Sequence, residues 1–328
     1  MTFKKLKSFI AMFVVATFIM PQSILAYSNK IIAGGETIGI EIKTKGVMIT
    51  GFYDIDDNRT FAKLKKGDMI IKADNKEIND INDFIEIIKN SNQQNLKLTC
   101  KDSNNNTYNE TINLVNKDGV IKTGLYVKDT ISGIGTLSFI DPKTRLYGAL
   151  GHEISNSING VKVDIKDGKI YESNITSIDK SVKGEVGSKR ATTNENKIFG
   201  DINENTSNGI FGKYNSELNN DKLYEVGDYK DISLGKASLI TVINKDLKKE
   251  YNIEILKKNN NKNDNKNILF KITDEELINK TGGVVQGMSG SPIVQNGKII
   301  GAVTNAVIND PKKGYAILIT TMLEESEN

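Results

Sequence analysis

The stretch QGMSGSPIVQNGKIIGAVTNAV, residues 286–307, decides how this chain folds. It places two serines among glycines, then an Asn-Gly pair, and then an apolar run. Asn-Gly between two apolar runs is a strong signal for a tight hairpin turn, so SPIVQ and KIIGAV are predicted to pair as antiparallel strands. Ser289 would then stand on a loop that enters a rigid hairpin, which is a good mount for a nucleophile.

A serine nucleophile needs a base within hydrogen-bond reach, a group that orients the base, and donors for the developing oxyanion. Gly287 and Gly290 permit a tight turn around Ser289, and the N–H groups of Gly287 and Ser289 are the expected oxyanion donors. Ser291 is the alternative nucleophile, but it lacks the glycine on each side that Ser289 has. His152 is the only histidine of the chain, so a Ser–His enzyme must use it as the base.

Composition excludes several other classes of function. The chain has 328 residues, 38% hydrophobic and 26% charged, which is ordinary for a globular protein of two domains. Beyond residue 26 the basic and acidic side chains are equal in number, which argues against a nucleic-acid partner.

One histidine and one cysteine, Cys100, are too few for a protein zinc site, and no metal or other cofactor is expected. DIDDNR, residues 54–59, lacks key calcium-loop ligands and is interpreted as a solvated turn. Cys100 alternates with Leu96 and Leu98 and is predicted to point into a core.

The N-terminus has the layout of a secretory signal. Three lysines precede an apolar run from Phe9 to Met20, and a cleavage site is predicted after Ala26. The run is shorter than the ~20 residues of a spanning helix. Counting on to Ala26 leaves an uncleaved membrane anchor as the alternative. Export is predicted, with residues 1–26 either removed or kept as an anchor.

Two units follow, and the predicted fold class is mainly β. Residues 31–115 mix strands with one amphipathic helix, in which Asp80 is the expected N-cap. The apolar face of this helix consists of Ile81, Phe84, Ile85 and Ile88. From residue 117 to 328, short apolar runs alternate with turn signals, which indicates a β-barrel or sandwich.

The first unit resembles a PDZ domain, on GETIGI at 35–40 and on KGDMI at 66–70 ahead of the helix. In PDZ domains, an apolar-Gly-apolar loop turns backbone N–H groups toward a peptide's terminal carboxylate, and the peptide adds as a strand. The resemblance assigns Ile38, Gly39 and Ile40 to that loop. The alternative is a small α/β packing domain with no ligand.

The second unit resembles chymotrypsin-like serine peptidases, because GMSGSP fits their Gly-x-Ser-Gly-x-Pro motif. The PDZ-like unit, GALGHEIS and the segment 272–317 together resemble the stage IV sporulation protein B peptidase family, over about residues 34–322. The resemblance implies a chymotrypsin-like β-barrel with Ser289 as nucleophile, His152 as base and Asp274 as the orienting acid. From the residues alone, Asp274 is equally a helix cap, and its rivals as the acid are Glu275, Glu276 and Asp310. No role is assigned to Glu153.

The resemblance also implies a function. Members of this family are exported into the space between the two membranes of a forming endospore, where they cut a few membrane-tethered sporulation proteins and can cut themselves. The expectation is a membrane-proximal signalling endopeptidase with protein substrates. Its PDZ domain would bind a regulatory or substrate tail, or the enzyme's own segments, gate cleavage and allow self-association. The alternatives are a non-catalytic PDZ scaffold and a quality-control protease of the HtrA type, whose peptidase unit precedes the PDZ domain.

Overall fold

The structure, a computed structural model, describes residues 27–55, 62–91, 93–218 and 222–327. The predicted signal segment, residues 1–26, lies outside the described residues, as does most of the DIDDNR stretch. Within the described part, no helix is long and apolar enough to cross a membrane.

Strands dominate the described part of the chain, which confirms the prediction of a mainly β fold. The first ten are β1 (Lys30–Ala33), β2 (Thr37–Phe52), β3 (Met69–Ala73), β4 (Lys76–Glu77), β5 (Asn95–Lys101), β6 (Thr107–Asn113), β7 (Val115–Lys117), β8 (Val120–Lys122), β9 (Leu125–Ile140) and β10 (Leu146–Ala149). The next six are β11 (Ile165–Asp179), β12 (Ser188–Ile202), β13 (Glu204–Thr206), β14 (Gly209–Lys213), β15 (Leu223–Val226) and β16 (Gly235–Val242). The last five are β17 (Lys248–Lys258), β18 (Ile268–Ile272), β19 (Pro292–Gln295), β20 (Lys298–Ala306) and β21 (Lys313–Leu318).

The helices of the described residues are few and short. They are α1 (Ile81–Lys89), α2 (Glu275–Thr281) and α3 (Ile319–Glu325), together with a single 3-10 turn at Tyr229–Asp231. The hairpin predicted at Asn296-Gly297 is present, since β19 and β20 pair as antiparallel strands around it. Both turn residues have positive φ, as a tight hairpin of this kind requires.

All strands except β7 and β8 join one closed, barrel-type sheet, which confirms the predicted barrel. One half of the barrel closes on a core that includes Ile40, Leu137 and Ile210, from β2, β9 and β14. The other half closes on a core of residues from β16 to β21. A third cluster joins the two halves, and α3 packs Ile319 and Met322 into it. The C-terminal helix therefore seals the seam between the halves.

A small α/β unit, called here the insert, is built into the long β2–β9 hairpin. Its separate core runs from Val47 on β2 to Leu125 on β9 and includes residues of β3, β5, β6 and α1. Helix α1 buries Phe84 and Ile88, and the Asp80 side chain accepts hydrogen bonds from two N–H groups of its first turn. Cys100 is fully buried in this core. The helix, its cap and the inward cysteine are as the sequence predicts.

The structure corrects the predicted PDZ loop and the first domain boundary. The first half of β2 pairs with β9 on one edge and with β11 on the other, so both edges carry hydrogen bonds. Ile38, Gly39 and Ile40 lie there as a buried strand of the barrel, not as a loop. Because no edge is free at this strand, a peptide cannot add to it. Alternating apolar residues identify a strand, but they do not specify which sheet the strand joins.

We therefore expect a fragment of residues 45–129 to fold alone, whereas a fragment of residues 31–115 does not. The fragment of residues 45–129 keeps the segments of β2 and β9 that close the insert's core, including Leu125. The other fragment lacks Leu125 and exposes apolar residues whose partners lie in the barrel. Thermal unfolding followed by circular dichroism, with dispersion of amide NMR signals, measures the difference. A cooperative transition for residues 31–115 alone would contradict the corrected boundary.

Candidate active site

A cleft of about 590 Å³ lies where the barrel meets the insert. Both Ser289 and His152, the predicted nucleophile and base, line it. Residues 131–134 of β9 and 304–306 of β20 form further parts of its wall. Met48 and Lys128, which lie where β2 and β9 leave the barrel for the insert, line it as well. Three parts of the chain thus surround the two predicted catalytic side chains.

The loop that carries Ser289 is held by Thr136 of β9. The Thr136 hydroxyl donates to the carbonyl of Gly287 at 2.6 Å, and the Thr136 N–H donates to the carbonyl of Ser289 at 3.0 Å. Gly290 follows with φ of +95°, and a Cβ at that position would lie 2.0 Å from the Thr136 carbonyl oxygen. Only glycine fits so close to another backbone at positive φ. The glycine after Ser289 in the Gly-x-Ser-Gly motif is therefore required by a backbone contact between this loop and β9.

The same loop presents two backbone N–H groups as candidate oxyanion donors. Gly287 has φ of +91°. Among the described residues, the N–H groups of Gly287 and Ser289 have no hydrogen-bond acceptor, while the other N–H groups of the loop donate to carbonyl oxygens. Those bonded donors are Met288, Gly290 and Ser291. The arrangement suits the predicted pair, because an oxyanion hole needs fixed donors with free hydrogens.

His152 follows β10, after Leu150 and Gly151, which both have φ of +70°. Its Nδ1 lies 2.8 Å from the main-chain carbonyl oxygen of Glu153. A carbonyl can only accept, so Nδ1 must carry the hydrogen of this bond, and Nε2 is left as the basic nitrogen of the neutral ring. The Glu153 side chain has no assigned role, but its carbonyl orients the imidazole.

The segment after His152 is fixed by Asn205, a residue that no sequence motif marks. The Asn205 side-chain oxygen accepts from the Ile154 N–H at 2.7 Å, and its amide group donates to the carbonyls of Ile154 and Val163 at 2.9 and 3.1 Å. Asn205 is buried, and its three hydrogen bonds replace those that a regular strand would supply there. It sets the path of the backbone on which His152 stands.

The Ser289 hydroxyl does not donate to His152 in this structure. It donates to the carbonyl of Thr304 at 2.9 Å, and Thr304 also lines the cleft. Rotation about one side-chain bond separates this position from one that faces the cleft and the imidazole. The structure therefore shows a resting arrangement, in which nucleophile and base share a cleft but are not yet hydrogen-bonded. Apo forms often lack catalytic hydrogen bonds of this kind.

No hydrogen bond joins Asp274 to His152 in the described part of the chain, so its expected part as the orienting acid stays a prediction. Its carboxylate caps α2 by accepting from the Leu277 N–H at 3.1 Å, and it also accepts from the Asn252 N–H at 3.3 Å. Asp274 does not line the cleft. The alternative interpretation, a helix cap, is the one that the geometry supports.

The rival nucleophile Ser291 is excluded by its burial. Its side chain is fully buried, and its hydroxyl donates to the Thr241 hydroxyl at 3.0 Å behind the loop. Among the residues described, Ser289 is therefore the serine of this motif that a substrate can reach.

A barrel of two packed halves, with a serine and an oriented histidine on the cleft and free N–H groups beside the serine, is the arrangement of a serine peptidase. The sequence matches the family model of the SpoIVB peptidase S55 over residues 119–323, which is more than half of the chain. The chain belongs to this family, and it is a serine peptidase. Its resemblance to the family, first noticed in the sequence, is confirmed.

Four solved chains are similar to this one. One is Rv3671c from M. tuberculosis H37Rv, a serine-to-alanine mutant in an inactive form, with 14% identity and a TM-score of 0.31 over 59% of this chain and 82% of that chain. Another is the Rv3671c protease in an inactive form, with 15% identity and a TM-score of 0.31 over 60% of this chain and 85% of that chain. No curated protein matches the sequence.

We expect Thr136→Val to slow the reaction of Ser289 by about tenfold to a hundredfold while the fold is kept. Valine keeps the volume but removes the hydroxyl that holds the Gly287 carbonyl, so the oxyanion donors lose their fixed direction. The rate of reaction with a fluorophosphonate measures this. Thr50→Val is the matched control, because the Thr50 hydroxyl also donates to a main-chain carbonyl but lies in the insert. An unchanged rate in Thr136→Val would show that the hydroxyl does not position the loop.

Proposed function

We propose that the chain is an exported signalling endopeptidase that makes a few regulatory cuts in membrane-tethered sporulation proteins, and that it also cuts itself. The family and the peptidase site support the chemistry. The N-terminal layout supports export, either with removal of residues 1–26 or with their retention as an anchor. The forespore intermembrane space is the compartment that the family resemblance implies for such an enzyme.

In the proposed mechanism, Ser289 attacks the scissile carbonyl and Nε2 of His152 takes its proton. The N–H groups of Gly287 and Ser289 stabilise the oxyanion of the tetrahedral intermediate. His152 then gives the proton to the leaving amine, which leaves an acyl group on Ser289, and water activated by the same nitrogen hydrolyses the ester. The Glu153 carbonyl keeps the imidazole in the tautomer that this sequence of steps needs. No acid partner for His152 is part of the proposal.

One observation carries this proposal: Ser289 and His152 come from opposite halves of the barrel and line the same cleft. The resting bond from the Ser289 hydroxyl to Thr304 favours an enzyme that is latent until a substrate or an effector reaches it. A latent state suits a protease that makes few cuts. The second candidate function is a scaffold that has lost catalysis. A latent enzyme and such a scaffold would both fail to cut general substrates.

The insert is suited to control the site, because it is hydrogen-bonded to the loop after His152. The side-chain amides of Asn156 and Asn159, in the loop after His152, both donate to the carbonyl of Gly67 in the insert, at 3.1 and 2.9 Å. Movement of the insert would therefore pull directly on the histidine loop. Met48 and Lys128 add a second connection, because they line the cleft from the strands that enter the insert. We infer that the insert gates cleavage through these contacts.

We expect a protein of residues 27–328 to react with a fluorophosphonate at Ser289, and expect Ser289→Ala to abolish the reaction. His152→Ala should slow it by a factor of at least about 10³, because the serine then lacks its base. Intact mass and tandem mass spectrometry identify the labelled residue and any self-cleavage. Labelling that persists in Ser289→Ala would place the nucleophile elsewhere, and a folded but unlabelled parent would favour the scaffold.

Asp274→Asn is the informative control in the same experiment. Asparagine caps helices as well as aspartate does, so a capping role predicts a labelling rate within about threefold of the parent. An acid that orients the base would instead lose about 10⁴ in rate on this change. Near-parent labelling would support the site proposed from the structure. A loss of that larger size would restore Asp274 as a member of the catalytic machinery.

We expect Asn156→Ala/Asn159→Ala to uncouple the insert from the site. The labelling rate should fall about tenfold, because the histidine loop loses two hydrogen bonds that fix it to the Gly67 carbonyl. Amide hydrogen exchange over residues 151–160 should become faster at the same time. Asn279→Ala, an exposed asparagine of α2, is the control. Unchanged exchange and an unchanged rate would show that the insert does not act through this contact.

A further inference from the structure

A lysine is buried directly behind the nucleophile loop. Lys189 is the second residue of β12 and is 5% exposed. Its Nζ donates to the Thr241 hydroxyl at 2.9 Å, and the Ser291 hydroxyl donates to the same oxygen at 3.0 Å. Thr241 and Ser291 are themselves fully buried. The Thr241 hydroxyl thus connects the Lys189 amine to Ser291, which lies two residues after Ser289.

The stem of Lys189 also supports the oxyanion end of that loop. Its Cβ, Cδ and Cγ lie 3.1, 3.2 and 3.4 Å from the point where a Cβ on Gly287 would be. The Lys189 N–H donates to the carbonyl of Gln286 at 2.9 Å, so backbone and side chain both contact this segment. The Lys189 stem therefore packs against Gly287, while its Nζ is held on the Thr241 hydroxyl behind the same loop.

Among the residues that the structure describes, the ammonium has no anionic partner. Burial alone lowers the pKa of Lys189 to about 7, and no carboxylate opposes the effect. On the elements packed against it, the charged groups point elsewhere. Asp179 of β11 pairs with Arg190 on the exposed face, the loop of residues 284–291 has no titratable side chain, and four other charged residues are exposed: Lys180, Lys183, Glu185 and Lys236.

We propose that Lys189 is a positioning residue of the peptidase reaction, whose ammonium supplies positive charge behind the oxyanion donor Gly287 while its stem holds that donor in place. The proposal rests on the proposed function of Ser289 and the Gly287 N–H. No proton leaves Lys189 and no bond forms to it. Its effect is electrostatic, through a loop that it contacts.

The absence of a carboxylate beside Lys189 is what makes this effect selective for the transition state. A buried ammonium is unfavourable in the resting enzyme, because nothing compensates for its lost hydration. The oxyanion that forms on the other side of Gly287 is the missing negative charge. The interaction is therefore stronger in the transition state than in the ground state, which is the condition for a contribution to rate.

The pH dependence follows from the lowered pKa of Lys189. The folded protein holds the amine neutral above about pH 7, whereas the unfolded chain keeps its proton up to the ordinary value of 10.5. The ammonium therefore helps the reaction below about pH 7 and no longer helps at high pH. Stability has the opposite dependence: the penalty of the buried charge is complete below about pH 7, shrinks as the pH rises towards 10.5 and is then lost.

The test compares the parent of residues 27–328 with Lys189→Met, which keeps the stem and removes the amine. Lys258→Met is the control, because Lys258 also donates to neutral oxygens, the carbonyls of Tyr229 and Ile232, but does not line the cleft. The rate of Ser289 labelling by a fluorophosphonate and the melting temperature are measured from about pH 6 to about pH 9.

We expect Lys189→Met to react about tenfold more slowly than the parent at about pH 6 and within about twofold of it at about pH 9. Its melting temperature should exceed that of the parent at the acidic end, with a gap that narrows as the pH rises. Lys258→Met should follow the parent in the pH profile of labelling. Equal slowing at every pH, or no slowing, would overturn the proposal. A parent that is folded but never labelled would instead refute the proposed function of Ser289.

Thr241→Val provides a second variant in case Lys189→Met does not fold. It leaves the lysine in place and removes the hydroxyl that holds Nζ. The contribution of Lys189 to the labelling rate at about pH 6 should therefore fall by about threefold or more. A Thr241→Val protein with the full pH profile of the parent would count against the proposal.

Discussion

The active site depends on Thr136, because this residue links the two halves of the barrel at the catalytic cleft. Its N–H and hydroxyl hold the carbonyls of Ser289 and Gly287, and its own carbonyl accepts from the Leu150 N–H at 3.3 Å. Leu150 lies two residues before His152. One residue of β9 therefore sets the positions of both the nucleophile loop and the strand end that carries the base. Gly290 follows from the same contact, since any side chain there would collide with the Thr136 carbonyl.

Ser289 and His152 could be selected from the sequence because their signals are local. The Gly-x-Ser-Gly-x-Pro motif and the Asn-Gly turn lie within one short stretch, and the histidine has no competitor. Thr136 and Asn205 carry no such signal, because each acts through backbone groups that are distant along the chain. Ile38, Gly39 and Ile40 were predicted wrongly for a related reason: their alternation identifies a strand, while the partner strands that bury it are more than 90 residues away. Lys189 stands in a polar stretch, and nothing in that stretch indicates burial.

Two features of the described structure bear on the proposed reaction. The Ser289 hydroxyl is bound to Thr304, and the Lys189 ammonium lacks a counter-charge. In the proposed reaction, both conditions change in the same event, in which a substrate carbonyl enters, the hydroxyl turns towards His152 and an oxyanion forms beside Gly287. The insert adds control, since the Gly67 carbonyl holds the loop after the histidine through Asn156 and Asn159.

The most direct test of this account is a crystal structure of the protein after reaction with a phosphonate that mimics the tetrahedral intermediate. The account predicts phosphorus on Oγ of Ser289, its oxygen within about 3 Å of the Gly287 and Ser289 nitrogens, and Nε2 of His152 facing the adduct. The carbonyl of Glu153 should still bind Nδ1, and Asp274 should still cap its helix. An adduct on another residue, or one whose oxygen points away from Gly287, would contradict the account.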